Sequence, residues 1–147
     1  MKRALALVSL VVAACGGGGG GPMAPGGGDF PDVAGAWFVN RTVLATTCGP
    51  VGVDAINVLV TQQGEDIQIA TELLLGNFNY AGSIQGDGDF TATFQGLITG
   101  AGVLLDASLS GRFTTNSVSA TETLQLTDAQ TGDSCSLQIR WLGNPLG

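Results

Sequence analysis

The sequence predicts an all-β domain, an eight-stranded antiparallel up-and-down β-barrel, with a β-sandwich as the alternative. Three observations carry the prediction. Beyond residue 28 the chain runs in short segments of alternating apolar and polar character, rich in Val, Ile, Thr and Phe, with no convincing helical periodicity. Clusters of Gly, Asp and Asn divide those segments, and most connections are so short that neighbours in sequence should pair antiparallel. Two cysteines, Cys48 and Cys135, fall just after the first segment and at the start of the last.

The first strand is expected over 36–46 and the second over 55–62. Gln63-Gly64-Glu65-Asp66 turns into a third strand over 67–74, and Gly76-Asn77 into a fourth over 78–84. Gly86-Asp87-Gly88 leads to a fifth over 89–95, and a softer glycine-bearing link, 96–102, to a sixth over 103–114. Asn116-Ser117 turns into a seventh over 118–127, and 129–133 leads to an eighth over 134–142. Alternation assigns inward faces. These are Ile56, Val58 and Val60; Ile67, Ile69 and Leu73; Phe78, Tyr80 and Ile84; and Phe90, Ala92 and Phe94. In the sixth strand they are Leu105, Ala107, Leu109 and Phe113, and in the eighth Leu137, Ile139 and Trp141. The opposite faces carry Thr, Ser, Asn, Gln and Asp, which gives each strand one wet side.

Ahead of this domain lies a different kind of sequence. Met1-Lys2-Arg3 is basic, and Ala4 to Ala14 is apolar apart from Ser9. Such a stretch is too short to span a bilayer, which takes about twenty residues, and fits the apolar part of a secretory signal. Val12-Ala13-Ala14-Cys15 resembles the lipobox of bacterial lipoproteins: an aliphatic residue, two small residues, then cysteine. The resemblance implies cleavage before Cys15, diacylglycerol on its thiol and a further acyl chain, such as palmitate, on the new amino terminus. Two acyl chains anchor stably where one is marginal. An ordinary secretory signal with an incidental cysteine is the alternative. Gly16, rather than Asp, follows the cysteine; by the sorting rule of many such lipoproteins this implies the outer membrane. Residues 16–28 are nine glycines with Pro22, Met23, Ala24 and Pro25 among them, and glycine has the most backbone entropy to lose and nothing to bury. The reading is a spacer reaching about 20 Å. A phosphate-binding glycine loop does not fit, because no strand precedes the run and no lysine or helix follows. The chain therefore divides into a signal peptide (1–14), a lipidated cysteine with its linker (15–28) and a β-domain (29–147).

After cleavage the domain keeps three arginines and no lysine against twelve carboxylates, a net of −9. That charge disfavours nucleic acid and anionic lipid surfaces. With Cys15 lipidated, Cys48 and Cys135 remain, and in an oxidising envelope they read as one disulfide. A metal or redox pair is the alternative, although the chain has no histidine and no CxxC. In a closed barrel the end of the first strand lies beside the start of the eighth, so this disulfide would staple the closing seam.

Gly35-Ala36-Trp37 resembles the G-x-W signature of lipocalins and avidin-like proteins. The resemblance implies that Trp37 closes one end of the barrel and that Arg140, late on the last strand, packs against it. It carries no biotin site, because the polar set that avidins use is missing. The two expectations conflict in register. If Cys48 faces Cys135, ideal pairing puts Arg140 near Val43, and reconciling both needs a bulge or a loop position for Cys48.

The absence of histidine removes most triads, most zinc sites and the usual proton shuttle. No catalytic, metal or cofactor residue is nominated, and an enzyme is not expected. Asp87-Gly88-Asp89 and Glu65-Asp66 read as turn chemistry, with weak calcium binding as the alternative for the first. Two charges do stand out. Arg41 shares a face with Trp37, Val39 and Val43; Glu122 shares one with Val118, Ala120, Leu124 and Leu126. Unpaired buried charges are costly, so the two are expected either to pair inside the barrel or to lie solvated near a mouth. Paired, they would orient a ligand beside Trp37 and Tyr80. Two functions follow: a lipid-anchored barrel holding a small apolar molecule, or a filled barrel acting through its outer surface, an envelope hydrolase inhibitor included.

Overall fold

The computed structural model describes residues 30–73, 76–98 and 100–147. Cys15 and the segments expected to be a signal peptide (1–14) and a glycine linker (15–28) lie outside the described residues. Eight strands follow one another: β1 (Gly35–Thr46), β2 (Ile56–Gln63), β3 (Asp66–Leu73), β4 (Gly76–Ile84), β5 (Asp89–Ile98), β6 (Val103–Phe113), β7 (Val118–Asp128) and β8 (Ser134–Pro145). Each pairs antiparallel with the next, and β8 returns to β1 to close the barrel. Closure excludes the sandwich and removes both sheet edges.

Wherever side chains are described, the inward faces are those the alternation assigns; the side chain of Leu73 lies outside the described residues. Ile56, Val58, Val60, Ile67, Ile69, Tyr80, Ile84, Phe90, Leu109, Ile139 and Trp141 are all buried. The largest departures in length are at β4, β5 and β8, the last reaching Pro145. β4 begins at Gly76, and β5 runs past Gly96 to Ile98. Gly96 reads as a turn residue, but the ring of Phe94 lies over it and covers its bare backbone, 2.7 Å from where a Cβ would sit.

One rim gathers the starts of β1, β3, β5 and β7, and it is plugged. Residues Phe30–Ala34 cross it, with Val33 buried. The Gln62 side chain fixes this segment: its carbonyl accepts from Val33 N–H (2.9 Å), and its amide donates to Pro31 O (3.1 Å) and Gly64 O (3.0 Å). The Trp37 indole N–H donates to Val33 O at 3.0 Å. Phe113 meets the Trp37 ring edge-on at 5.0 Å and the Phe90 ring at 4.6 Å. Inward glycines let this end narrow. A Cβ on Gly82 would sit 1.9 Å from Thr91 O, and one on Gly111 2.2 Å from Ser119 O, so the neighbouring strands approach closer than any side chain allows.

At the other rim, where β1 ends and β8 begins, the barrel is stapled. Cys48 and Cys135 are disulfide-bonded across 87 residues of chain. Of the two conflicting register expectations the disulfide holds and the Arg140–Trp37 contact does not, and the seam carries a bulge between Val43 and Ala45. Beyond it Thr46 faces Leu137, the register that brings Cys48 to Cys135; before it Thr42 faces Arg140. One inserted residue thus keeps both inward sets facing the core, where a plain slip would have turned one of them out.

Candidate functional site

Glu122 is fully buried in the wall of β7. It faces Leu109 of β6 and Ile139 of β8, so its neighbours across the sheet are apolar. Its partners come from further round the barrel. The Tyr80 hydroxyl, from β4, donates a short hydrogen bond to Oε1. The Trp141 indole N–H, from β8, donates to Oε2 at 2.8 Å. Arg41 Nη1, from β1, lies 4.0 Å from Oε2. Every group around the two oxygens is a donor, the arrangement that suits an ionised, acceptor-only carboxylate.

Magnitudes show why all three partners matter. An ion pair at 4 Å is worth about 4 kcal/mol at an effective dielectric of about 20. Effective desolvation costs several kcal/mol per ion, so the pair alone does not repay burial. Two charge-assisted hydrogen bonds, each worth about 1.5–3 kcal/mol, bring the balance back. Tyr80 is held far above the usual tyrosine range. Burial is the main cause, the charge of Glu122 and its hydrogen bond add to it, and Arg41 opposes. The hydroxyl therefore remains a donor. Rings close around the cluster: Tyr80 meets Trp141 edge-on at 6.4 Å and Phe94 at 6.3 Å, and Phe78 meets Phe94 at 5.0 Å.

Between this polar level and the stapled rim the barrel is hollow. A cavity of about 590 Å³ is walled by Ile56, Phe78, Ile98, Leu105, Leu124, Leu126, Leu137 and Ile139, and on one side by the β1–β2 loop through Val51, Val53 and Ala55. Two strand seams part here. β4 and β5 pair only from Ala81 to Ile84 with Phe90 to Thr93, and β1 leaves β2 above Val39. The loop from Thr47 to Ala55 fills the second gap. Its Asp54 carbonyl accepts from Arg41 Nε at 2.9 Å, which fixes the guanidinium at the cavity wall.

The residues singled out in sequence take distinct places. Arg41 and Glu122 do come together, and Tyr80 joins them. Of the four ligand-site candidates, Arg41 alone lines the cavity; Glu122 and Tyr80 lie buried beneath it, and Trp37 belongs to the plugged end. Arg140 does not pack on Trp37. It is exposed on the outer face, opposite Thr42 and Thr121, because it alternates with the inward Ile139 and Trp141, while Trp37 pairs with Pro145 five residues further along β8. Asp87 and Asp89 serve their turn and the strand beside it. Asp87 accepts from Asp89 N–H at 3.0 Å, while Arg112 sits 2.5 Å from the Asp89 carboxylate and 3.5 Å from that of Asp87. Sequence reasoning placed Trp141 in the core and missed its bond to Glu122, and it missed the loop wall. The only signal for the wall was the pair of apolar residues, Val51 and Val53, in an otherwise turn-like segment.

No family model, no curated protein and no solved structure matches this chain. The fold and the site therefore stand on their own geometry.

Proposed function

We propose that this protein is a lipid-anchored envelope protein whose barrel binds one small apolar molecule. The observation that carries the reading is the apolar cavity of about 590 Å³, a size within the range of small-molecule sites, with a few convergent polar groups at its wall. Eight strands suffice either to fill a barrel or to hold one ligand, and here Phe78 is the one aromatic side chain that lines the space beyond the polar level. The anchor rests on the lipobox resemblance at Cys15. It is compatible with the fold, because the chain enters through Phe30–Ala34 at the plugged end and leaves the opposite mouth unobstructed.

A second reading, interaction through the outer surface, draws on the apolar residues there. Leu97 and Leu104 face each other across β5 and β6 and are about half exposed, as are Leu59 and Leu142 around β1. Isolated exposed leucines are ordinary on soluble domains, so the cavity is the stronger feature. Titration with the neutral fluorophore phenylnaphthylamine tests the choice. Saturable binding of one probe per barrel is expected, abolished in a folded Leu124→Trp variant that fills the cavity. Binding that survives this substitution would refute the interior site.

A further inference from the structure

The wall of the cavity specifies more than apolarity. Arg41 spends its Nε on Asp54 O, at 2.9 Å, and so has a fixed orientation. Its terminal nitrogens make no hydrogen bond among the described residues; the approach to Glu122, at 4.0 Å, is an ion pair without hydrogen-bond contact. A guanidinium carries five N–H donors, so up to four remain. No buried side-chain nitrogen or oxygen among the described residues lacks a partner; the unspent donors are therefore ones that reach open space, and the open space beside Arg41 is the cavity.

Charge then decides what those donors accept. The positive charge of Arg41 is already balanced by Glu122, which is fully buried and cannot swing away to solvent. Asp54 holds Arg41 through its backbone carbonyl and its side chain is exposed, so the balance at the buried wall is that of Arg41 and Glu122. An ionised ligand headgroup would leave an excess negative charge inside the barrel, and uncompensated buried charge is among the costliest arrangements in a protein. A neutral acceptor uses the same donors without that cost.

We propose that the cavity takes a neutral apolar molecule bearing a carbonyl-type acceptor, such as an ester, ketone or amide, with that oxygen on Arg41 and the apolar part against Leu105, Leu124, Leu126 and Leu137. It discriminates against the same chain ending in a free carboxylate. This assignment rests on the cavity being a ligand site, and the experiment separates the two. Methyl dodecanoate and dodecanoate are compared as competitors of phenylnaphthylamine at neutral pH, in the wild type and in Glu122→Gln. The glutamine keeps an acceptor near Trp141 but leaves the charge of Arg41 unbalanced. In the wild type the ester should compete about tenfold or more better than the carboxylate. In Glu122→Gln the ratio should swing about tenfold or more toward the carboxylate. Arg41→Met, which removes the donors and keeps an apolar stem, should weaken the ester and serves if Glu122→Gln does not fold. A wild-type ratio near one, an unmoved ratio in folded Glu122→Gln, or unchanged ester affinity in Arg41→Met would overturn the headgroup assignment while probe binding persists. Failure of the probe itself to bind would overturn the cavity reading, and the assignment with it.

Discussion

Replacing Tyr80 by Phe isolates one hydrogen bond in the barrel and should be expensive. The substitution removes a single oxygen and leaves the ring in place against Trp141 and Phe94, so packing changes little. What it takes away is, among the described residues, the only hydrogen-bond donor to Glu122 Oε1. Both residues are fully buried, so water does not replace the hydroxyl. A hydrogen bond to a charged group is worth about 1.5–3 kcal/mol, and a domain of this size loses roughly 3–5 °C of Tm per kcal/mol. The expected loss is about 2 kcal/mol, read as a lower urea midpoint at unchanged m-value and a fall of roughly 6–10 °C in Tm. A pH arm uses the same variant. The hydroxyl is held above the ordinary tyrosine range in the folded state. Its contribution is therefore complete below the unfolded value of about 10 and lost as pH rises above it. Tyr80 is the sole tyrosine, so wild-type stability should fall on alkalinisation by a component that Tyr80→Phe lacks. A loss below about 0.5 kcal/mol would refute the claim that Tyr80 satisfies a buried carboxylate.

Two further predictions concern the rims. The Cys48→Ser, Cys135→Ser double variant opens a loop of 87 residues and should lose about 4–5 kcal/mol on the chain-entropy model; urea denaturation of oxidised wild type and variant checks this, and a change under about 1 kcal/mol would show that the seam does not depend on the staple. Asp89 is held below the usual carboxylate range mainly by its hydrogen bond from Arg112, and Asp128 by the backbone N–H groups of Thr131 and Gln130. Depressed carboxyls stabilise above their unfolded value, and that stability is lost as pH falls through the folded one. Wild-type stability should thus drop between about pH 5 and pH 2 more steeply than that of an Asp89→Asn, Asp128→Asn variant, and equal slopes would contradict it.

Much of the architecture was legible because alternation, turn residues and cysteine positions all pointed to one closed meander. The Arg41–Glu122 pair was legible for a related reason: a charge on an apolar face has to find a partner. The errors also have physical causes. Gly96 looks like a link because sequence does not reveal that Phe94 covers it. Arg140 was placed beside Trp37 by chain order, although strand alternation turns it outward between the buried Ile139 and Trp141, five residues from Pro145, the partner of Trp37. The bond from Trp141 to Glu122 depends on a ring rotamer, and the wall made by Val51 and Val53 on a loop closing a strand gap. Neither has a periodic signature.

The central claim is that ligand enters the barrel and does not coat it. Methyl-resolved NMR during titration with methyl dodecanoate tests this most directly, because leucines report from both sides. Saturable shifts confined to Leu105, Leu124, Leu126 and Leu137, with Leu59, Leu97, Leu104 and Leu142 unmoved, are the predicted result. Shifts on the outer leucines with a silent interior would contradict the account.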